Sequence, residues 1–174
     1  MQYNQLASAE SIKTTIAKLA EHNIEGIEVS SSEAAMTKIK EFIPQGASVM
    51  NGSSVTLETI GFVDYLKEDK HGWNNLHAGI VAENDPAKQA VLRQQAIHAD
   101  YYLGSVHALS ETGEFVIASN TGSQLPHVVF TSQNLIFVVG AQKIVTNLAE
   151  AMKRLEEYVI PLEDKHMQEK YGVG

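Results

Sequence analysis

The sequence predicts an α/β domain in three layers, with a mainly parallel central sheet, helices on both faces, and an antiparallel hairpin near residues 100–118. Three observations predict it. Stretches of helical periodicity alternate with short apolar runs along the chain. The run Leu135 to Val139 is continuously apolar, as in a strand covered on both faces. Two polar, glycine-bearing stretches bracket the short apolar segment Phe115 to Ala118, the pattern of a hairpin strand between turns.

At 174 residues, 44% of them apolar, the chain can bury one core. A single domain over 1–174 is expected, with an N-terminal helix over about 1–23 and a C-terminal tail over about 161–174. A formal charge of −8 without a basic patch argues against nucleic acid as a partner, because phosphates are neutralised by clustered Lys and Arg. The chain has no cysteine, so it offers no disulfide, thiolate nucleophile or cysteine-held zinc or iron–sulfur cluster. No leader-like segment opens the sequence, and no apolar run approaches the roughly 18 residues of a membrane span, so no membrane partner and a cytoplasmic location are expected.

Each element has its own signal. Ile12, Ile16, Leu19 and Ala20 recur at helical spacing between about Ser8 and His22, opposite Lys13, Lys18 and Glu21. Ile24 to Val29 reads as a short strand. Ser31 or Ser32 before Glu33 caps a second helix carrying Ala35, Met36, Ile39 and Phe42, closed by Pro44 and Gly46. Ala47 to Met50 is a short strand, after which Ser53 or Ser54 caps a helix through Thr59. A helix from Phe62 to Lys67 leads into a loop over 67–75, where Trp73 anchors on the core or covers part of a cleft. Asp85 and Pro86 form the cap and first turn of a helix to about His98. Tyr101 to Leu103 is a strand broken at Gly104, and it is the expected partner of Phe115 to Ala118 in the hairpin. Ser123 to Phe130 reads either as a short helix or as an extended edge. Leu135 to Val139 is expected to be a central strand. Thr146 or Asn147 caps a last long helix lined by Leu148, Ala151, Met152, Leu155 and Tyr158, which Pro161 is expected to stop.

The least generic stretch is Ala99 to Pro126. Ligands of open α/β sheets bind beyond the carboxyl ends of the strands, which collects Asn51 to Thr56, Gly104 to His107 and Gly140 to Lys143 on one rim. Within Asn51, Gly52, Ser53, Ser54 and Thr56, a strand, a Gly/Ser turn and a helix start point free N–H groups at one spot. Gly104, Ser105, Thr112 and Gly113 form a second ligand-binding loop, and Asn120, Thr121, Gly122, Ser123 and Gln124 a third. The loops 51–56, 104–113 and 119–124 are expected to converge on one pocket. Gly104 is expected to let backbone approach a ligand, and Lys143 is the best cation for an anionic one.

Catalytic candidates are Glu111, His107 and Glu58. Glu111 is a general base or a loop-stabilising carboxylate, and His107 a proton shuttle or a hydrogen-bonded loop histidine. Glu58 is read as a capping-box glutamate or as catalytic. The remaining histidines show no metal-ligand spacing, so no metal and no cofactor are expected.

The segments NGSSVTLETIGF, ADYYLGSVHALSETGEFVIASNTGSQLP and VVGAQKIVTNLAEAMKRLEEYVIPLED together resemble the LUD-domain family over roughly Ile24 to Asp164. Its best-known members are lactate-utilisation proteins of the C-subunit type. The resemblance implies a coenzyme A transferase-like fold, shared with ribose-5-phosphate isomerases and glucosamine-6-phosphate deaminases, with substrate held at Gly/Ser/Thr-rich loops after the strands. Larger relatives carry N-A-I-T-E-x-G, G-N-R and N-K-I-V where this chain has VHALSETG, TGSQLP and AQKIV. His107, Gln124 and Gln142 therefore stand in place of Asn, Arg and Asn, and a fixed cation is lost.

Two functions follow from this. One is a non-redox component of cytoplasmic L-lactate utilisation, acting with iron–sulfur partner subunits. The alternative is a stand-alone isomerase, deaminase or acyl-transfer enzyme on a small anionic metabolite. Whether the chain catalyses anything alone stays open, and a homodimer is one assembly the sequence allows.

Overall fold

In the computed structural model, which describes residues 3–172, the elements are, in chain order, α1 (Ala9–Glu21), α2 (Ser32–Phe42), β1 (Ser48–Asn51), α3 (Val55–Thr59), α4 (Phe62–Lys67), β2 (Asn74–Asn75), α5 (Leu76–Ala82), α6 (Pro86–Ala96), β3 (Tyr101–Gly104), β4 (Ala108–Ser110), β5 (Phe115–Val116), a π turn (His127–Thr131), β6 (Asn134–Phe137), a 3₁₀ turn (Ala141–Lys143), β7 (Ile144–Val145), α7 (Leu148–Arg154), a second π segment (Leu155–Val159) and α8 (Ile160–Tyr171). Residues 1–2 of the expected N-terminal helix and 173–174 of the expected tail lie outside the described residues. The chain divides into two units. The larger comprises Val29–Ser105 and Ser119–Val138, and the smaller comprises Met1–Glu28, Val106–Ala118 and Val139–Gly174. No helix among the described residues is long and apolar enough to cross a membrane.

The larger unit is built on a four-stranded, all-parallel sheet in the order β2-β1-β3-β6. Asp100, immediately before β3, aligns three of its strands. Its carboxylate accepts from the N–H and hydroxyl of Ser48 at 2.8 and 2.7 Å, and Ser48 Oγ in turn accepts the Asp100 N–H at 2.9 Å. The Asp100 carbonyl accepts from the Asn134 backbone and amide, each at 3.0 Å. The bond from the Ser48 N–H, followed by that from its hydroxyl, holds the Asp100 carboxyl below its ordinary range.

Alternation then assigns the faces. Val49 and Leu103 point toward α2, α3 and α4, where Ile39, Ile43, Leu57, Phe62 and Leu66 bury against them. Each such side chain contributes roughly 1.5–3 kcal/mol by leaving water. Trp73 anchors on this core, donating from Nε1 to the Ile43 carbonyl at 3.1 Å, while its N–H donates to His71 Nδ1 at 3.0 Å. The caps fall at Ser31, Ser54, Asn75 and Asp85, each accepting a first-turn N–H.

Several expectations about strands and loops are corrected. Ile24 to Val29 joins no ladder, because α1 ends in a Schellman closure: Asn23 adopts φ 60°, the Ile24 N–H bonds the Leu19 carbonyl at 3.0 Å, and the Asn23 N–H bonds Ala20 at 3.1 Å. The run Leu135 to Val139 supplies β6, an edge strand; β3 is central, and Leu135 is exposed. The expected loop over 67–75 ends in β2 at Asn74–Asn75, and α5 follows directly over Leu76–Ala82.

In the smaller unit, β5-β4-β7 form a three-stranded sheet, β4 antiparallel to β5 and parallel to β7. The hairpin therefore lies where expected, but its first strand is Ala108–Ser110, since Tyr101 to Leu103 pairs only in the parallel sheet. Its turn is closed by Glu114, whose carboxylate accepts from the Ser110 and Thr112 hydroxyls, and by Gly113 at φ 98°, a conformation costly for any side chain. Ala108, Val116 and Val145 pack against Ala151 and Leu155 of the last helix. Pro161 does not stop that helix. It stands in the first turn of α8, directly after the π segment, where a missing N–H is tolerated.

Gly104 is buried inside β3, and a Cβ there would lie 3.2 Å from Tyr102 Cε1 and 3.4 Å from Phe137 Cε1. It is a packing position. Gly104→Val is therefore expected to lower stability by about 1–3 kcal/mol, read as a lower urea midpoint at unchanged slope; an unshifted midpoint would show that the rings give way freely.

Candidate functional site

In the larger unit, the parallel strands β1 and β3 deliver residues 51–56 and Ser105 to one end of the sheet. Ser54 Oγ accepts the Leu57 N–H at 3.3 Å as the cap of α3, with Ser53 exposed before it. Ser105 Oγ donates to the Val138 carbonyl at 2.6 Å and lies 3.4 Å from Thr56 Oγ1. A hydroxyl has one proton, so the shorter contact takes it and the longer is weak. A Cβ on Gly52 would collide with Tyr102 Oη and stand 3.4 Å from Gln124 Oε1. Residues 51–56, Ser105 and Gln124 thus share a rim. Within the third loop, Ser119 Oγ accepts the Gly122 N–H at 3.0 Å and Thr121 donates to Ser123 Oγ at 2.9 Å, while Asn120 is exposed.

One residue at this rim, Tyr102, escaped the sequence reading. Tyr102, 1% exposed, stacks on His127 with ring centroids 4.5 Å apart, and its hydroxyl has no hydrogen-bond partner among the described residues. Burial pushes the phenol up to about 12 and pushes the His127 imidazole down. Asn51 is likewise buried, with its amide donating to the Gly52 carbonyl at 3.2 Å and Oδ1 without a hydrogen-bond partner among the described residues. The signal for Tyr102 was an aromatic with a polar tip in a strand that stops two residues later at a glycine.

The smaller unit holds the other candidates. Glu111 faces α1, accepting from Ser11 Oγ at 2.5 Å, while its N–H donates to the Val145 carbonyl at 2.7 Å. Thr112 and Gly113 belong to the hairpin turn. His107 Nδ1 accepts the Ala118 N–H at 3.2 Å, so the neutral ring carries its proton on Nε2. Its pKa is pushed down by burial, then by Lys143, and Glu163 partly offsets this. Lys143 is half-buried, with Nζ donating to the Val106 carbonyl at 2.9 Å; burial first, then Arg154, brings its pKa down to about 8. Arg154, unmarked by the sequence reading, is 4% exposed and donates to the carbonyls of His107 and Tyr3. Its signal was a cation between Ala151 and Leu155 on the buried helix face; Leu148 and Met152, expected on that face, are exposed.

Glu58 is exposed at the fourth position after the Ser54 cap, one residue beyond the third position where a capping-box carboxylate reaches back. An open cleft of about 490 Å³ lined by Met36, Lys40, Ile60 and Tyr65 contains none of the predicted site residues. Among the described residues, no group of three His, Cys, Asp or Glu is placed to hold a metal ion.

Two outcomes follow from these environments. Tyr102→Phe removes an unsatisfied buried hydroxyl and is expected to raise stability by about 1 kcal/mol; a urea midpoint that falls instead would reveal a partner for that hydroxyl. Lys143 has its folded pKa below its unfolded value of 10.5, so the unfolded chain binds more protons between about pH 8 and 10.5 and the folded state gains stability as pH rises through that window. The wild type should therefore gain on Lys143→Met across that range in paired melting curves, and a constant difference would place the ammonium in open solvent.

Among curated proteins none matches this chain, and none does among solved structures. The family model of the LUD domain matches residues 12–171, which takes in residues 51–56, Ser105 and Gln124 of the rim, the hairpin with His107 and Glu111, and the helix carrying Arg154. With nearly the whole chain matched, from within α1 to the last residue of α8, this protein belongs to the LUD-domain family.

Proposed function

We propose that the protein is a non-redox component of cytoplasmic L-lactate utilisation, binding a small anionic metabolite and working beside iron–sulfur partner subunits. Membership of the LUD-domain family suggests the process, at the level of the family. The observation that carries the binding role is the meeting of Gly52, Thr56, Ser105 and Gln124 at the carboxyl ends of parallel strands, where ligands of such sheets bind. Hydroxyls, an amide and a glycine-backed rim suit a small polar molecule. Oxidation of lactate to pyruvate releases two electrons, and the 174 residues contain no cysteine to ligate a cluster that would receive them. Partner subunits therefore supply the redox centre in this reading, and this chain supplies recognition.

Deleting the gene is expected to abolish growth on L-lactate while sparing growth on pyruvate, with restoration by the intact gene. Equal growth of the deleted strain on both carbon sources would sink the assignment.

A further inference from the structure

The helical turn that follows the third loop is amphipathic in the reverse of the usual sense. Residues 125–131 run as one short helical segment, π-wound over His127–Thr131. Residues four apart lie one above the other on such a turn, so Leu125 and Val129 form one column and Pro126 and Phe130 the next. This apolar face is turned to solvent, with Leu125 39%, Val129 78% and Phe130 89% exposed. The inner face carries the polar groups: His127 is buried against the Tyr102 ring with Nδ1 3.2 Å from Ser132 Oγ, and the Thr131 hydroxyl is buried too. A helix lying on water normally shows the opposite arrangement. Isolated exposed apolar side chains are ordinary, whereas a contiguous face of them marks a surface that is covered in the working molecule.

Charge points to what covers it. The segment Ser119–Val138 of the larger unit contains no Asp, Glu, Lys or Arg, although charged residues make up 20% of the chain. The exposed residues next in sequence, Gln133, Asn134 and Leu135, are neutral as well. Loss of charge around an exposed aromatic is the composition of an interface core. In a two-fold dimer a patch meets its own image, so any charge within it would face a like charge. Two copies of a chain carrying −8 also repel each other as wholes. This segment can be pressed against its image without setting like charges face to face, and Val129 and Phe130 of each copy then leave water. A partner of different sequence would find no charge here to complement.

We infer that Leu125, Val129 and Phe130 form the centre of a two-fold interface with a second copy of this chain. Leu125 directly follows Gln124, so the second copy stands beside the strand-end rim. The inference does not rest on the lactate assignment, and either can fail alone.

The test is sedimentation velocity on the full chain between about 2 and 200 μM, a range suited to an interface of modest size. The wild-type mass should rise from 19.0 kDa toward twice that value. Phe130 is 89% exposed, so Phe130→Asp should fold normally, read as an unchanged circular dichroism spectrum, and should weaken association at least about tenfold by placing carboxylates in the contact. Val129→Lys should give the same result from a second exposed position. Val81→Asp, at an apolar position 65% exposed outside the segment, should leave association unchanged. Raising sodium chloride from about 20 to 300 mM should strengthen wild-type association, since salt screens the repulsion between two acidic copies and this contact has no ion pair to lose. A wild type that stays monomeric throughout overturns the second copy as the occupant. So does equal association of the wild type and both patch variants, equal weakening by Val81→Asp, or a dimer that salt dissociates.

Discussion

Everything in the larger unit depends on the hydrogen bonds around Asp100. Parallel strands have no short turn to fix their register, and a slip of one residue would send every side chain to the opposite face. Asp100 prevents the slip by holding Ser48 with its carboxylate and Asn134 with its carbonyl, setting β1, β3 and β6 against one another from their amino ends. With that alignment, Val49 and Leu103 meet the α2–α4 core and Tyr102 meets His127. The same alignment makes β1 and β3 end level, with Asn51 paired to Leu103 and the Gly52 N–H bonded to the Leu103 carbonyl. The rim at the far end is thus set by a contact about four residues upstream in each strand.

Elements with local chemistry at their ends were legible. Ser31, Ser54, Asp85 and Asn147 cap the helices assigned to them because a side-chain oxygen beside free N–H groups is a property of a few adjacent residues. What was misread depends on partners distant in sequence. Ile24 to Val29 has strand composition but no neighbour to pair with, and Leu135 to Val139 has the composition of a central strand yet lies at an edge. Composition reports what a segment tolerates, while pairing depends on the register of others. Pro161 misled for a different reason: the π segment ahead of it places the ring in a first turn, and nothing in the residues 155–159 announces that geometry.

The geometry of the candidate rim was legible to a similar degree. Glycines, hydroxyls and amides clustered after strands mark the rim, because few other roles need that mixture. Thr112, Gly113 and Glu111 share the composition, yet their polar groups or backbone serve the hairpin and its tie to α1. Tyr102 and Arg154 were passed over because they stand in a strand and on a helix face, where an aromatic or a long cation reads as packing or solvent coverage. Only the absence of partners for Tyr102 Oη and Arg154 Nε among the described residues sets them apart, and that is a property of three-dimensional surroundings.

The π segment Leu155–Val159 also bears on how this chain tolerates changes in length. A π turn holds one residue more than an α turn of the same rise, so it can take up an extra residue without shifting the helix on either side. Upstream, Ala151 and Arg154 keep their phase against the sheet; downstream, α8 is exposed along almost all of its described side chains. Deleting one residue inside the segment would let it close as ordinary α-helix with α8 nearly in phase, whereas the same deletion within α7 would rotate everything beyond it by about 100°. A change of one residue in length is therefore expected to cost less in this segment than in α7, where it would turn Ala151 and Arg154 away from the sheet.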